Sequence, residues 1–85
     1  RIHSSALDYE DIIVGFDIAP ESFVPALESI KNMEFVSELY RTAGDHVAIA
    51  KITVEKGKAA NMIKELESID GIRKVYPAFI QDIVK

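Results

Sequence analysis

The sequence lacks several residues and patterns on which common classes of protein depend. It has no cysteine, which excludes disulfide frameworks, thiolate metal sites and cysteine nucleophiles. Its four glycines are dispersed and form no glycine-rich loop that could hold a phosphate. No apolar run approaches the ~20 residues of a membrane-spanning helix, and no signal-peptide pattern opens the chain. Basic residues number only 10 against 14 acidic ones, and the net charge of −4 argues against nucleic-acid binding by this chain.

What the chain does contain is a high proportion of apolar residues, 48% of its 85 residues. The length fits a single domain over 1–85, with residues 1–10 as a leading linker segment. A domain of this size hides only ~60–65% of the surface that its unfolded chain exposes. We therefore expect part of the apolar surface to stay exposed on a single copy of the chain.

Hydrophobic periodicity predicts the element order β-α-β-β-α-β. Dense β-branched residues over 12–18 indicate a central strand, in which Gly15 could mark a bulge or a close approach by another backbone. Apolar residues recur at helical spacing after Pro20, and again over 59–69. The other three strands are predicted over 35–42, over 47–54, and over 72–84, where Pro77 places the last strand at an edge or bends it.

This order predicts an α+β fold of the ferredoxin-like βαββαβ type. Right-handed crossovers place both helices on one face of a four-stranded antiparallel sheet. The other face then has no cover within the chain, yet about half of its residues are apolar. An exposed apolar surface usually marks an interface, so we expect dimerisation through this open face. The simpler alternative is that strand residues are β-branched whatever their exposure.

Few residues are candidates for chemistry. His3 and His46 match no metal-ligand spacing, and no serine has the setting of a nucleophile, so we expect no metal, no cofactor and no enzymatic activity. Asp17 stands out as a carboxylate in an apolar strand, although a strand-end position would explain it. The run 40–46 places a turn glycine, a hydroxyl and a carboxylate at a hairpin tip. Such a tip either binds a zwitterion, with backbone N–H groups for its carboxylate and Asp45 for its ammonium, or simply turns the chain.

The hairpin run resembles a known family. Residues 36–46, VSELYRTAGDH, resemble the central hairpin of the effector-binding domain of Lrp/AsnC-type transcription regulators. That domain is also called the RAM domain, for regulation of amino-acid metabolism. Residues 12–18 with the following proline-led helix, and residues 67–75, are similar to its first and second halves. The resemblance covers nearly the whole chain.

The resemblance implies a cytoplasmic homodimer that packs through the open sheet faces, and often a higher oligomer. It also implies a small effector, commonly an amino acid, held between dimers by residues at the hairpin tip, here Thr42, Gly44, Asp45 and His46. Two positions depart from the family's usual pattern. Val47 stands where amino-acid binders usually have a second acidic residue, and Pro77 brings no hydroxyl to the last strand. Gln81 is a further candidate for an effector contact.

The opening residues, RIHSSALD, look like the segment that follows the helix-turn-helix in full-length members of the family. The resemblance therefore implies a C-terminal fragment or a stand-alone member, with any DNA contact made outside these residues. Two other functions remain open: an assembly module without a ligand, and a small dimeric enzyme with Asp17 and His46 as acid and base.

Overall fold

The computed structural model describes residues 8–44, 47–82 and 84–85, and its elements follow the predicted order. The elements are β1 (Tyr9–Ile18), α1 (Phe23–Lys31), β2 (Val36–Arg41), β3 (Ala48–Glu55), α2 (Ala59–Glu67) and β4 (Ile72–Phe79). A short 3₁₀ turn, Pro20–Ser22, leads into α1. In the described parts of the chain, no helix is both long and apolar enough to span a membrane.

The four strands form one antiparallel sheet in the order β2-β3-β1-β4, which confirms the ferredoxin-like prediction. The dense β-branched strand β1 is central, and β4, which contains Pro77, is an edge strand, both as expected. An edge position suits Pro77 because proline has no N–H to donate to a second neighbour.

One hydrophobic core lies between this sheet and the two helices. Along β3 every second residue is buried, which is the period of a strand with one face in the core. The helices contribute Ala26 and Ile30 from α1, and Ala59 and Leu66 from α2, to the same core cluster. Both helices therefore cover the same face of the sheet, and the largest fully buried side chains of that core are Phe16, Ile12, Ile30, Ile52, Leu66 and Val14.

The segment between β1 and α1 contacts the turn between α2 and β4 at Gly71. Its φ of 94° lies in the region that favours glycine. The backbone N–H of Ala19 donates to the carbonyl oxygen of Gly71 at 2.8 Å. A Cβ added at Gly71 would lie 2.3 Å from the Cβ of Ser22, so this turn fits against the start of α1 only without a side chain.

The structure corrects three details of the sequence prediction. β1 begins at Tyr9, so residues 9–10 belong to the sheet and not to a leading linker. Gly15 pairs regularly with both neighbouring strands, and the register shift lies at Asp17/Ile18 instead. β4 ends at Phe79 and not at residue 84. Ile80 and Val84, which follow β4, continue the strand-like pattern of the sequence, but they are exposed and gain nothing from burial.

Candidate functional site

The sheet face opposite the helices has no covering layer among the described residues. We call it the open face, and its side chains come from Glu38, Tyr40, Ile49, Lys51, Thr53, Asp11, Ile13, Gly15, Asp17, Lys74, Tyr76 and Ala78. Tyr40 and Tyr76 remain 53% and 37% exposed, and their strands are the two edges of the sheet. The register aligns these two tyrosines in one row with Ile49 and Gly15 between them. One row across the open face, from edge to edge, is thus apolar and aromatic.

The three carboxylates of the open face each accept a hydrogen bond from a hydroxyl on the same face. Thr53 donates to Asp11 at 2.8 Å. Tyr76 donates to Asp17 at 3.0 Å. The phenol of Tyr40 donates to Glu38 on its own strand. A carboxylate that already has a hydroxyl donor retains that hydrogen bond if the face is covered, which lowers the cost of removing water from it.

Both tyrosine hydroxyls are affected by these acceptors. The hydrogen bond to Glu38, reinforced by its negative charge, raises the pKa of Tyr40 above the ordinary value. The hydrogen bond to Asp17, followed by partial burial, raises the pKa of Tyr76 in the same way. Both phenols are therefore neutral donors throughout the physiological pH range.

The hairpin between β2 and β3 lies at one end of the open face. The backbone N–H of Thr42 donates to the carbonyl oxygen of Val47 at 3.1 Å, which is the last described bond before the tip. Gly44 is exposed with a φ of 110°, as expected for a glycine that turns the chain. Asp45 and His46 lie outside the described residues. Their effector contacts, and the pairing of Asp17 with His46 as acid and base, stay predictions.

Gln81 does not join this tip within one chain. The hairpin reaches β1 at Phe16, whose carbonyl accepts the N–H of Val47 at 3.2 Å. The segment after β4 instead reaches β1 at Asp11, through the N–H of Ile80 at 3.4 Å. These two points lie five residues apart along β1, or about 17 Å at ~3.3 Å per residue. Gln81 and Thr42 are therefore at opposite ends of the sheet in a single copy.

Asp17 has neighbours that the sequence did not indicate. It lies on the central strand, half-buried, and pairs across to Lys74 of β4. The Lys74 ammonium lies 5.7 Å from the centroid of the Tyr76 ring, whose hydroxyl binds Asp17. Asp17 and Tyr76 are 59 residues apart in the sequence. No local pattern links two positions at that separation, and only the register of β4 on β1 brings them together.

Two other features do not involve the predicted site residues. A shallow depression on the outer edge of β2 is lined by Lys31, Val36, Ser37, Glu38 and Leu39. Within the described ranges, no three His, Cys, Asp or Glu side chains lie close enough to hold a metal ion.

Comparison with known proteins relates the whole chain to one group. No protein-family model matches the sequence. The HTH-type transcriptional regulator LrpA of Pyrococcus horikoshii is 39% identical over 88 residues, which cover all of this chain and 62% of the relative. The chain therefore spans less than two thirds of the length of that relative.

Solved structures of the same kind share the fold. AsnC of E. coli superposes with a TM-score of 0.82 at 18% identity, over all of this chain and 60% of AsnC. A transcriptional regulator of Neisseria meningitidis, solved in complex with L-Met, has a TM-score of 0.76 at 12% identity, over all of this chain and 58% of its own. At these identities the likeness shows a shared fold alone, and the relationship to LrpA is a similarity of sequence over all of this chain.

Proposed function

Because this chain belongs to the Lrp/AsnC family of transcription regulators, we propose that it is the effector-binding and oligomerisation part of such a regulator. The observation that carries the proposal is the open face, which the described chain leaves uncovered and which is crossed by a row of apolar and aromatic residues. An uncovered face of this kind on a small domain suits burial against a partner. A second copy of the chain is the partner that we propose.

The chemistry of the open face supports burial against a second copy. One row across it is apolar at Ile49 and aromatic at Tyr40 and Tyr76, which lie on the two edge strands. Aromatic residues are enriched in the buried parts of interfaces between proteins. The hydroxyl–carboxylate pairs keep their hydrogen bonds when water leaves, so the acidic residues add less to the cost of association.

The oligomer is tested by the mass of the 85-residue chain in solution, measured by analytical ultracentrifugation. The wild-type chain should sediment as a dimer or a higher oligomer. Ile49→Lys places an ammonium at the centre of the open face and should shift the mass to that of one chain. Val24→Lys is the matched control, because Val24 is 68% exposed on α1, away from the open face. A monomeric wild-type chain, or equal effects of the two variants, would contradict the proposal.

We assign the effector to the hairpin end of the sheet. Its supports are the hydroxyl of Thr42, the turn at Gly44 and the likeness to a regulator that was solved with L-Met. An amino acid presents a carboxylate for backbone N–H groups and an ammonium for a carboxylate, which Asp45 would provide. A ligand that binds two assembly states with different affinities shifts the balance between them, and the assembly in turn carries the signal to the rest of the regulator.

Calorimetric titration with each of the standard amino acids, beginning with L-Met, tests this assignment. Gly44→Val should abolish binding while leaving the mass of the oligomer unchanged, because a β-branched residue does not tolerate the φ of 110° at the tip. Normal ligand binding by this variant would contradict the hairpin assignment. A wild-type chain that assembles but binds none of the amino acids would favour an assembly module without a ligand.

A further inference from the structure

We propose that the two copies of the chain are related by a two-fold axis that runs parallel to the strands, midway between β3 and β1, so that Ile49 of each copy packs over Gly15 of the other. This inference rests on the proposed function, which requires only that two open faces meet. It adds the direction of the axis and the residues that interlock, and it gives the second copy one defined orientation.

The row of Tyr40, Ile49, Gly15 and Tyr76 contains one position without a side chain. Gly15 pairs with Ile49 on one side and with Tyr76 on the other. The hydroxyl of Tyr76 donates to Asp17, two residues further along β1, so its ring is directed diagonally towards Asp17 and not straight across to Gly15. Because Gly15 has no Cβ, the open face is lower there than at the residues on either side.

The backbone at Gly15 does not itself require glycine. Among the described glycines, positive φ values belong to Gly44, Gly57 and Gly71, whereas Gly15 pairs regularly with both neighbouring strands. Glycine weakens the interior of a strand, and it often marks a bulge or a close approach by another part of the structure. The regular pairing excludes a bulge at Gly15 and therefore favours a close approach.

The strand order shows which axis brings a large residue to this position. In the order β2-β3-β1-β4 the middle of the sheet lies between β3 and β1. A two-fold axis along that middle places β3 of one copy over β1 of the other, and it keeps each row over the same row. Ile49 then lies over the partner's Gly15 and Tyr40 over the partner's Tyr76, and symmetry repeats both contacts.

An axis that runs along the row, across the strands, does not give this fit. Each strand would then lie over the same strand of the partner. Ile49 would meet the partner's Ile49, and Gly15 would meet the partner's Gly15, which leaves a clash on one strand and a void on the next. Buried interfaces are packed as densely as protein interiors, so the surface favours the axis parallel to the strands.

The twist of the sheets preserves the contact between Ile49 and Gly15. Two packed sheets lie about 10 Å apart with an angle of about 30° between their strand directions. Both residues lie half a strand spacing from the axis, or ~2.4 Å, so this angle displaces one from the other by only about 1 Å. The contact therefore persists where rows further from the axis diverge.

The charges of the open face are compatible with this orientation. Among the described residues, each charged residue of the open face lies over an uncharged residue of the partner. The register gives Asp11 over the partner's Thr53, Asp17 over the partner's Val47, Glu38 over the partner's Ala78, Lys51 over the partner's Ile13 and Lys74 over the partner's Thr42. The carboxylates thus keep their hydroxyl donors and meet no second carboxylate.

The first test changes the shape of the contact and measures the dissociation constant of the 85-residue chain by analytical ultracentrifugation. Gly15→Ile sets an isoleucine against the partner's Ile49 at two symmetric places and should weaken association roughly thirty-fold or more. The exchange variant Gly15→Ile/Ile49→Gly has the composition of the wild-type chain and places isoleucine over glycine again. It should recover most of the loss, because exchanges that conserve volume are tolerated best. Ala60→Ile, exposed on α2, is the control and should leave the constant unchanged.

The second test does not depend on Gly15. The chain has no cysteine, so Tyr40→Cys and Tyr76→Cys each carry a single thiol. In the proposed orientation, position 40 lies ~10 Å from position 76 of the partner but ~17 Å from position 40 of the partner. A short thiol-specific cross-linker should therefore join the two variants when they are mixed, and should not join either variant to itself. Circular dichroism establishes that every variant keeps the fold.

The outcomes separate this inference from the proposed function. If the wild-type chain dimerises and Gly15→Ile associates equally or more tightly, the inference is wrong and the proposed function stands. A loss in Gly15→Ile that the exchange variant does not recover also overturns it. If Gly15→Ile does not fold, the cross-linking decides, and a product of Tyr40→Cys with itself in place of the mixed product overturns the inference. A monomeric wild-type chain contradicts both.

Discussion

Replacing Gly71 by alanine should destabilise the fold far more than a single methyl group suggests. The φ of 94° alone should cost an alanine about 1–2 kcal/mol. The new Cβ would also lie 2.3 Å from the Cβ of Ser22, a distance that forces the α2–β4 turn away from the start of α1. Overpacking of this kind costs about 1–3 kcal/mol. We therefore expect a total loss of about 2–5 kcal/mol.

The assay is urea unfolding followed by circular dichroism, with all variants at one protein concentration because association contributes to apparent stability. A loss of this size is large beside the total stability of a chain of 85 residues, of order 4–13 kcal/mol at ~0.05–0.15 kcal/mol per residue. Gly57→Ala is the matched control. Its φ is 89°, but nothing lies within 4 Å of its Cβ, so only the cost of the backbone conformation should appear.

A second substitution isolates the contact itself. Ser22→Gly removes the Cβ that Gly71→Ala would meet, and Ser22 makes no side-chain hydrogen bond at the start of α1. Alone it should cost less than about 1 kcal/mol. In the double variant, about 1–3 kcal/mol of the loss in Gly71→Ala should return, a non-additivity expected of residues in contact. Equal stabilities of Gly71→Ala and Gly57→Ala, or strictly additive effects, would refute this reasoning.

Two other predictions concern the core and the open face. Leu66→Ala removes a fully buried side chain between α2 and the sheet and should lower the free energy of unfolding by about 2–5 kcal/mol. The control, Lys64→Ala on the exposed side of the same helix, should change it by less than about 0.5 kcal/mol. Urea unfolding measures both. Glu38→Gln should move the pKa of Tyr40 down towards its ordinary value, as measured by ultraviolet absorbance of the tyrosinate, while Asp11→Asn should leave it in place. Because the pKa of Tyr40 is raised, the stability from its hydrogen bond is fully present below pH ~10 and is lost as the pH rises through the pKa of the folded state. An unchanged pKa of Tyr40 in Glu38→Gln would contradict the interpretation.

The relationship to LrpA confirms the resemblance that the hairpin run and the proline-led helix suggested. It also bears on the net charge of −4, which argued against nucleic-acid binding by this chain. The relative is named as an HTH-type regulator, and this chain spans 62% of it. Under the proposed function, DNA contact would lie in other residues of such a regulator, and assembly and ligand sensing would lie in these.

The sequence by itself determined the elements and their order. Periods of 3.6 and 2 residues are local properties, set by which side chains of a helix or strand can face one core, and they indicated both helices and all four strands. Once that order is known, the handedness of crossovers leaves few topologies, so the sheet with helices on one face also followed. Pro77 at an edge is the same kind of inference, because a missing N–H is a property of one residue.

The tertiary structure decided which distant residues share an end of the sheet. Gln81 and Thr42 looked like partners in one site, yet they lie at opposite ends of the sheet in one chain. Asp17 and Tyr76 had no pattern in common, yet their side chains are bonded. Such neighbours depend on the register between strands that are far apart in the chain, here β1 and β4, and that register is set by how the core packs and not by the residues on the open face. The sequence therefore specifies which elements form the sheet and in what order. Packing of the core face decides which charged residues of the open face lie next to one another.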